Sequence, residues 1–326
     1  MKNNLLPDAY AVYNKDEKIR LQSSSGGVFY NIAKYVITND GIIAGARFDA
    51  NWAVEHGLGE KIEDIKQFMG SKYVQSSMKD TYKEIKRELD CDRLVLFTGT
   101  PCQVNGLLCY LRIDYTNLIT MDFICHGVPS KMVWREYLNT VRNSKKITNI
   151  NFRSKKMGWK NYNFKIDYGP HAYYEQQHYK NIYMRGFLQN LYLRPSCYEC
   201  RFKGYHHRAD ITIGDFWGIE KILPKLYDDK GTSIILVHSE LGKKVWSEIS
   251  HDFISETVSI EVLKETNLAA LKSVELNEKR KLFYTRKNEN IYSLINELTK
   301  LPIFIRYVRT IKRKIKTIFK RRDKHE

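Results

Sequence analysis

Apolar and polar positions along the first 146 residues switch between two periods. Short apolar runs at 9–13, 42–48, 93–97 and 118–124 read as strands, and stretches with helical spacing at 81–89, 102–111 and 130–141 read as helices. A further helix is expected after Gly27, and 41–48 with 52–58 reads as a hairpin. Strands alternating with helices predict an α/β fold, with a mostly parallel or mixed sheet and flanking helices. From about residue 147 to 215 the pattern turns aromatic, polar and strand-like (NFRSKKMGWKNYNFKIDY), which predicts an insertion bearing a cysteine pair at its far end. An apolar strand at 232–239 and a helix at 241–249 return to the first pattern, and 260–298 reads as a helical C-terminal region. The expected organisation is a core at 1–146, an insertion at 147–220, sheet completion and helices at 221–300, and a tail at 301–326.

Composition narrows the class. At 326 residues and 43% hydrophobic, the chain is long and apolar enough for a substantial core. No run approaches the roughly 18 apolar residues that a membrane-spanning helix needs, and the first residues lack a basic segment followed by an apolar one, so a cytoplasmic protein is expected. Six cysteines are too few for a disulfide scaffold and would stay reduced there.

The net charge of +17 is uneven, because ten Lys or Arg against two acids fall between Pro302 and Glu326. There Phe304, Val308, Ile311, Ile315 and Ile318 recur every three or four positions with basic residues between them. As a helix this has one apolar and one basic face, suited to an anionic surface at the inner face of the membrane or to docking on its own domain. Nucleic acid is not expected, since no aromatic and basic recognition module accompanies the tail.

Candidate chemistry centres on four cysteines. Cys197 and Cys200 form a C-x-x-C in CYECRF, a spacing that lets two thiolates reach one metal. Cys102 follows a strand, a tight turn and Pro101, which puts its sulfur at a helix N-terminus, where the dipole favours a thiolate. Cys125 ends the next strand in DFICHG, and neighbouring parallel strands end on the same edge of a sheet. Four converging thiols suit a cubane iron-sulfur cluster or a structural zinc, and spacing leaves both open. Cys125 with His126 as nucleophile and base is disfavoured, because adjacent residues at a strand end point apart. Cys91 and Cys109 lie in no motif, and Cys109 reads as buried packing on an apolar helix face.

Three glycine-rich turns add to this. SSSGG (residues 23–27) opens a helix and offers free amides to a phosphate, although serine and glycine also start ordinary helices. GSKY (70–73) supplies a lysine and an aromatic ring, and the turn at 98–103 supplies threonine hydroxyls; together they favour a dinucleotide. No G-x-G-x-x-G is present, so the usual nicotinamide fingerprint is missing. In GDFWG (214–218), glycines permit close backbone approach and Trp217 offers a stacking surface.

In order, SSSGGVF, GSKYVQS, VLFTGTPCQV, DFICHGVPS, CYECRFK and RADITIGDFWG resemble the flavoprotein family typified by the beta subunit of coenzyme F420 hydrogenase/dehydrogenase. The resemblance implies FAD and a 4Fe-4S cluster in an oxidoreductase that takes a hydride from a deazaflavin and releases electrons singly. It makes 1–146 the flavin-binding core, and Cys102, Cys125, Cys197 and Cys200 the expected cluster ligands. Ser25, Gly26, Gly27, Lys72, Tyr73, Thr98, Gly99 and Thr100 become the expected flavin or phosphate contacts. Many relatives begin with a ferredoxin module, whereas no cysteine precedes Cys91 here, so a separate ferredoxin or ferredoxin-domain partner is expected. Similar copies accompany genes for polysaccharide biosynthesis, where the alternative role is a zinc- or cluster-stabilised binding or scaffold protein.

Overall fold

Residues 6–142 and 144–300 are described by a computed structural model. The strands of the first half are β1 (Asp8–Asn14), β2 (Ile42–Phe48), β3 (Val54–Gly59), β4 (Val95–Gly99) and β5 (Leu118–Phe123). Then come β6 (Asn149–Ser154), β7 (Asn163–Asp167) and β8 (Tyr173–Gln177), followed by β9 (Ile211–Asp215), β10 (Ser233–Val237) and β11 (Phe253–Val258). Eight strands make one mixed sheet in the order β11-β1-β10-β9-β5-β4-β2-β3. Its centre, β9-β5-β4-β2, is parallel, and the remaining pairings are antiparallel.

The central strands are mostly apolar because both faces are covered. On one face Ile43, Leu96, Ile119 and Ile235 pack on Ile32 and Val36 of the helix Val28–Thr38 and on Val245 and Ile249 of the helix Glu240–Ile249. On the other, Val95 and Phe97 meet Ile85 and Leu89 of the helix Thr81–Asp90 and Val104 and Leu107 of the helix Pro101–Leu111. The fold is therefore the expected α/β type with flanking helices.

β6, β7 and β8 form a separate antiparallel sheet. Its Phe152 and Phe164 share an aromatic core with Trp134 of the helix Lys131–Arg142, Tyr183 and Phe187 of the helix Ile182–Leu188, and Leu294 of the helix Ile291–Thr299.

Three details differ from expectation. β9, which carries the start of GDFWG, lies between β10 and β5 in the main sheet, so the segment apart from that sheet ends before residue 211. Ile211 and Thr212 are buried there, and the hydrogen bonds of two neighbours fix the strand. β11 escapes the apolar pattern because it is an edge strand with one buried residue, Phe253. Cys109 is exposed rather than packed, as is Cys91.

No helix among the described residues is long and apolar enough to cross a membrane. The basic pattern at 304–318, and with it the proposed membrane contact, lies outside the described residues.

Candidate functional site

The parallel centre of the sheet sets the site. β4 and β5 pair with Gly99 opposite Asp122, so the turns that follow them leave the same edge. After β4 the chain enters the helix Pro101–Leu111, whose start is fixed by the Gln103 side-chain oxygen accepting from the Thr100 amide at 2.9 Å. Proline at the first helical position costs nothing, since that amide has no intrahelical partner. Cys102 thereby stands in the first turn, with its Sγ 3.0 Å from the Thr100 hydroxyl.

The distant cysteine pair is stitched to this edge through the segment after Cys125. Pro129 bridges to Leu193, and the Arg194 amide donates to the Val128 carbonyl at 2.8 Å. The Val128 amide in turn donates to Cys197 Sγ at 3.4 Å. Cys102, Cys125, Cys197 and Cys200 consequently line one cavity of about 290 Å³. They surround a space: among the described residues no three His, Cys, Asp or Glu are grouped to hold a single metal ion. Burial pushes the Cys125 thiol up to about 12, opposed by the charge of Lys203, and burial also raises Cys197.

A second, larger cavity of about 600 Å³ opens beside it. Ser25, Gly27, Lys72, Tyr73, Thr98, Gly99 and Thr100 all line it, as does Trp217. Ser24 joins two of the turns by accepting from the Ser71 amide at 2.7 Å. The Ser25 hydroxyl donates to the Thr232 carbonyl at 2.9 Å, so its own proton is spent within the protein. Burial pushes Lys72 down to about 7, and its ammonium donates to the Met69 and Gly70 carbonyls at 3.0 and 3.3 Å.

Gly26 alone of the expected contacts does not line the cavity. A Cβ there would stand 2.5 Å from the Val12 carbonyl oxygen and 2.9 Å from the Ser233 amide, both backbone atoms. Close packing of this turn on the sheet requires the glycine. Gly26→Ala is therefore expected to lower stability by about 1–3 kcal/mol, the usual cost of overpacking, readable in a urea titration.

Residues outside the sequence motifs also line or brace the larger cavity. Arg153 on β6 is buried and lines it, paired to Asp215 of GDFWG by bonds of 2.8 and 3.1 Å and donating to the Tyr73 hydroxyl at 3.1 Å. Trp217 stacks on Trp159 with ring centres 4.8 Å apart, which occupies one of its faces. Lys155 donates to the carbonyls of Arg20, Ser25 and Lys230, each at 2.7 Å, and so clamps the SSSGG turn from behind. His56 lines the cavity in the neutral form, because burial pushes it down to about 4; its Nε2 donates to the Thr98 carbonyl at 3.1 Å. In the sequence Arg153 reads as one more surface cation in NFRSKK, and nothing there tied it to Asp215.

The two cavities share a wall made of Thr100, the segment from Ile124 to Val128, Arg194 and Ala269, so Cys125 and His126 border both. His126 is held there by its Nε2 donating to Asn190 at 2.7 Å.

Comparison with known proteins agrees with this architecture. Residues 92–262 match the family model for the C terminus of the coenzyme F420 hydrogenase/dehydrogenase beta subunit. No curated protein matches the sequence. Among solved structures, a chain of the xenon-derivatised F420-reducing NiFe hydrogenase complex from Methanosarcina barkeri is similar at 18% identity and a TM-score of 0.52. The likeness covers 90% of this chain and 94% of that one, and at this identity it is one of fold. Because the family match spans more than half of the sequence, the chain belongs to the coenzyme F420 hydrogenase/dehydrogenase beta-subunit family, a family of oxidoreductase subunits.

Proposed function

We propose that the chain is a flavin-dependent oxidoreductase that holds FAD in the larger cavity and a 4Fe-4S cluster on Cys102, Cys125, Cys197 and Cys200. The shared wall carries this reading: a two-electron and a one-electron centre on its two sides would be separated by the thickness of Thr100, the 124–128 segment, Arg194 and Ala269.

The residues fit both groups. A volume of 600 Å³ lies within the range of roughly 300–1,000 Å³ usual for cofactor sites. Lys72 and the start of the helix after Gly27, which no side chain caps, supply donors for phosphate oxygens, and Tyr73 and Trp217 supply aromatic walls. Four thiols lining one cavity can hold a cluster, and membership of the beta-subunit family favours it over zinc. When bound, FAD would supply two-electron chemistry toward a hydride carrier such as a deazaflavin and one-electron chemistry toward the cluster.

The protein's own part is to orient and insulate. Arg153 and Asp215 fix the aromatic wall, Lys155 fixes the SSSGG turn, and neutral His56 adds a polar but uncharged face. The acceptor is a separate ferredoxin or ferredoxin-domain protein. Arg194 and Arg201 are exposed where they border the thiol cavity, a cationic approach for an acidic carrier.

Anaerobic purification tests the reading. Flavin absorbance together with iron and acid-labile sulfide in the same protein is the expected result. Colourless protein carrying one zinc per chain would sink it.

A further inference from the structure

We propose that Lys203 is a potential-setting residue: a fixed cation at the thiol cavity that favours the reduced, more negative state of the cluster held there. The proposal rests on the cluster reading above and concerns a residue outside the four ligands.

Lys203 falls three residues after Cys200 and lines the thiol cavity. Its ammonium donates to the carbonyl of Cys125 itself, and to that of Ala269 at 2.6 Å. Two carbonyls from different parts of the chain therefore hold the charge in one place.

The other charged groups on this cavity act differently. Arg194, Arg201 and Glu199 are exposed, so solvent and salt screen them. His207 also lines the cavity, but its Nδ1 lies 2.7 Å from the carboxylate of Asp122, so an acid stands directly beside it. The groups touching the sulfurs, the Val128 amide and the Thr100 hydroxyl, are neutral dipoles. Lys203 is thus the anchored cation of the cavity among the described residues. Adding an electron to the cluster adds one negative charge, and a fixed positive charge nearby lowers the energy of that state relative to the oxidised one.

The test compares wild type, Lys203→Gln and Lys203→Arg as purified holoproteins, measuring iron content and the cluster's midpoint potential by EPR-monitored titration. Glutamine keeps donors without charge, and arginine keeps both. The expected result is a midpoint potential more negative in Lys203→Gln and near wild type in Lys203→Arg, with iron content held. An unchanged potential in fully loaded Lys203→Gln overturns the proposal. Loss of iron in both variants also overturns it, since it assigns Lys203 to bracing the Cys125 and Ala269 backbones. Iron-free wild type instead sinks the cluster reading, a failure the metal analysis identifies before any variant is made.

Discussion

Replacing Cys197 with Ser is expected to abolish the intact cluster, removing most of the roughly four irons per chain and the broad absorption of thiolate-bound iron. A serine hydroxyl is a poor substitute because it is not ionised at neutral pH and is a harder donor than a thiolate. The local fold offers no replacement: Cys197 Sγ accepts from the Val128 amide in the loop that ties the C-x-x-C to the sheet edge, and the uninvolved cysteines, Cys91 and Cys109, are exposed and do not line the cavity. Cys109→Ser is the matching control and is expected to retain its iron. Flavin content in Cys197→Ser should fall less than iron, because Cys197 does not line the larger cavity while Cys125 does. Iron unchanged in Cys197→Ser would remove that residue from the site.

Much of the core was legible because its signals are local. RLVLF is apolar on both faces and ends in a turn, so a buried parallel strand feeding a helix follows from period and punctuation alone. The meeting of GTPC and ICHG at one edge follows from the same logic, since parallel neighbours end together. The path that brings the CYEC loop there is different in kind. It depends on the Pro129–Leu193 bridge and the Arg194–Val128 hydrogen bond, contacts spanning more than sixty residues that leave no periodic trace. Arg153 and Lys155 were illegible for a related reason. Each looks like a surface cation in NFRSKK, and only the fold buries one against Asp215 and turns the other toward three carbonyls. Gly26 shows the converse. A motif glycine reads equally well as a ligand contact or as a close backbone approach, and the distance to Val12 decides for the second.

Arg153→Met is expected to destabilise the protein by about 3 kcal/mol, the low end for removing one partner of a buried ion pair. Burial pushes the arginine's pKa down, but the Asp215 carboxylate together with the Tyr73 and Tyr162 hydroxyls outweighs this and holds it well above the ordinary value. The guanidinium sits 4.1 Å from the Tyr162 ring centre and 5.3 Å from that of Trp217, so its loss also empties an aromatic slot. Methionine refills much of that volume but leaves the Asp215 charge with the Trp159 indole at 2.8 Å as its remaining side-chain donor. The Asp215 side chain keeps 18% of its exposure, against 2% for Arg153, and this partial solvation is why the low end applies. Adding Asp215→Asn to Arg153→Met should recover part of the loss, because the uncompensated charge is then gone; a double variant no more stable than the single one would place the cost in packing. The pair joins the small sheet, the GSKY turn and the GDFWG strand at one point, so flavin retained through gel filtration should fall with stability. Urea midpoints within about 1 kcal/mol of wild type would mean that Arg153 and Asp215 behave as a solvated surface pair.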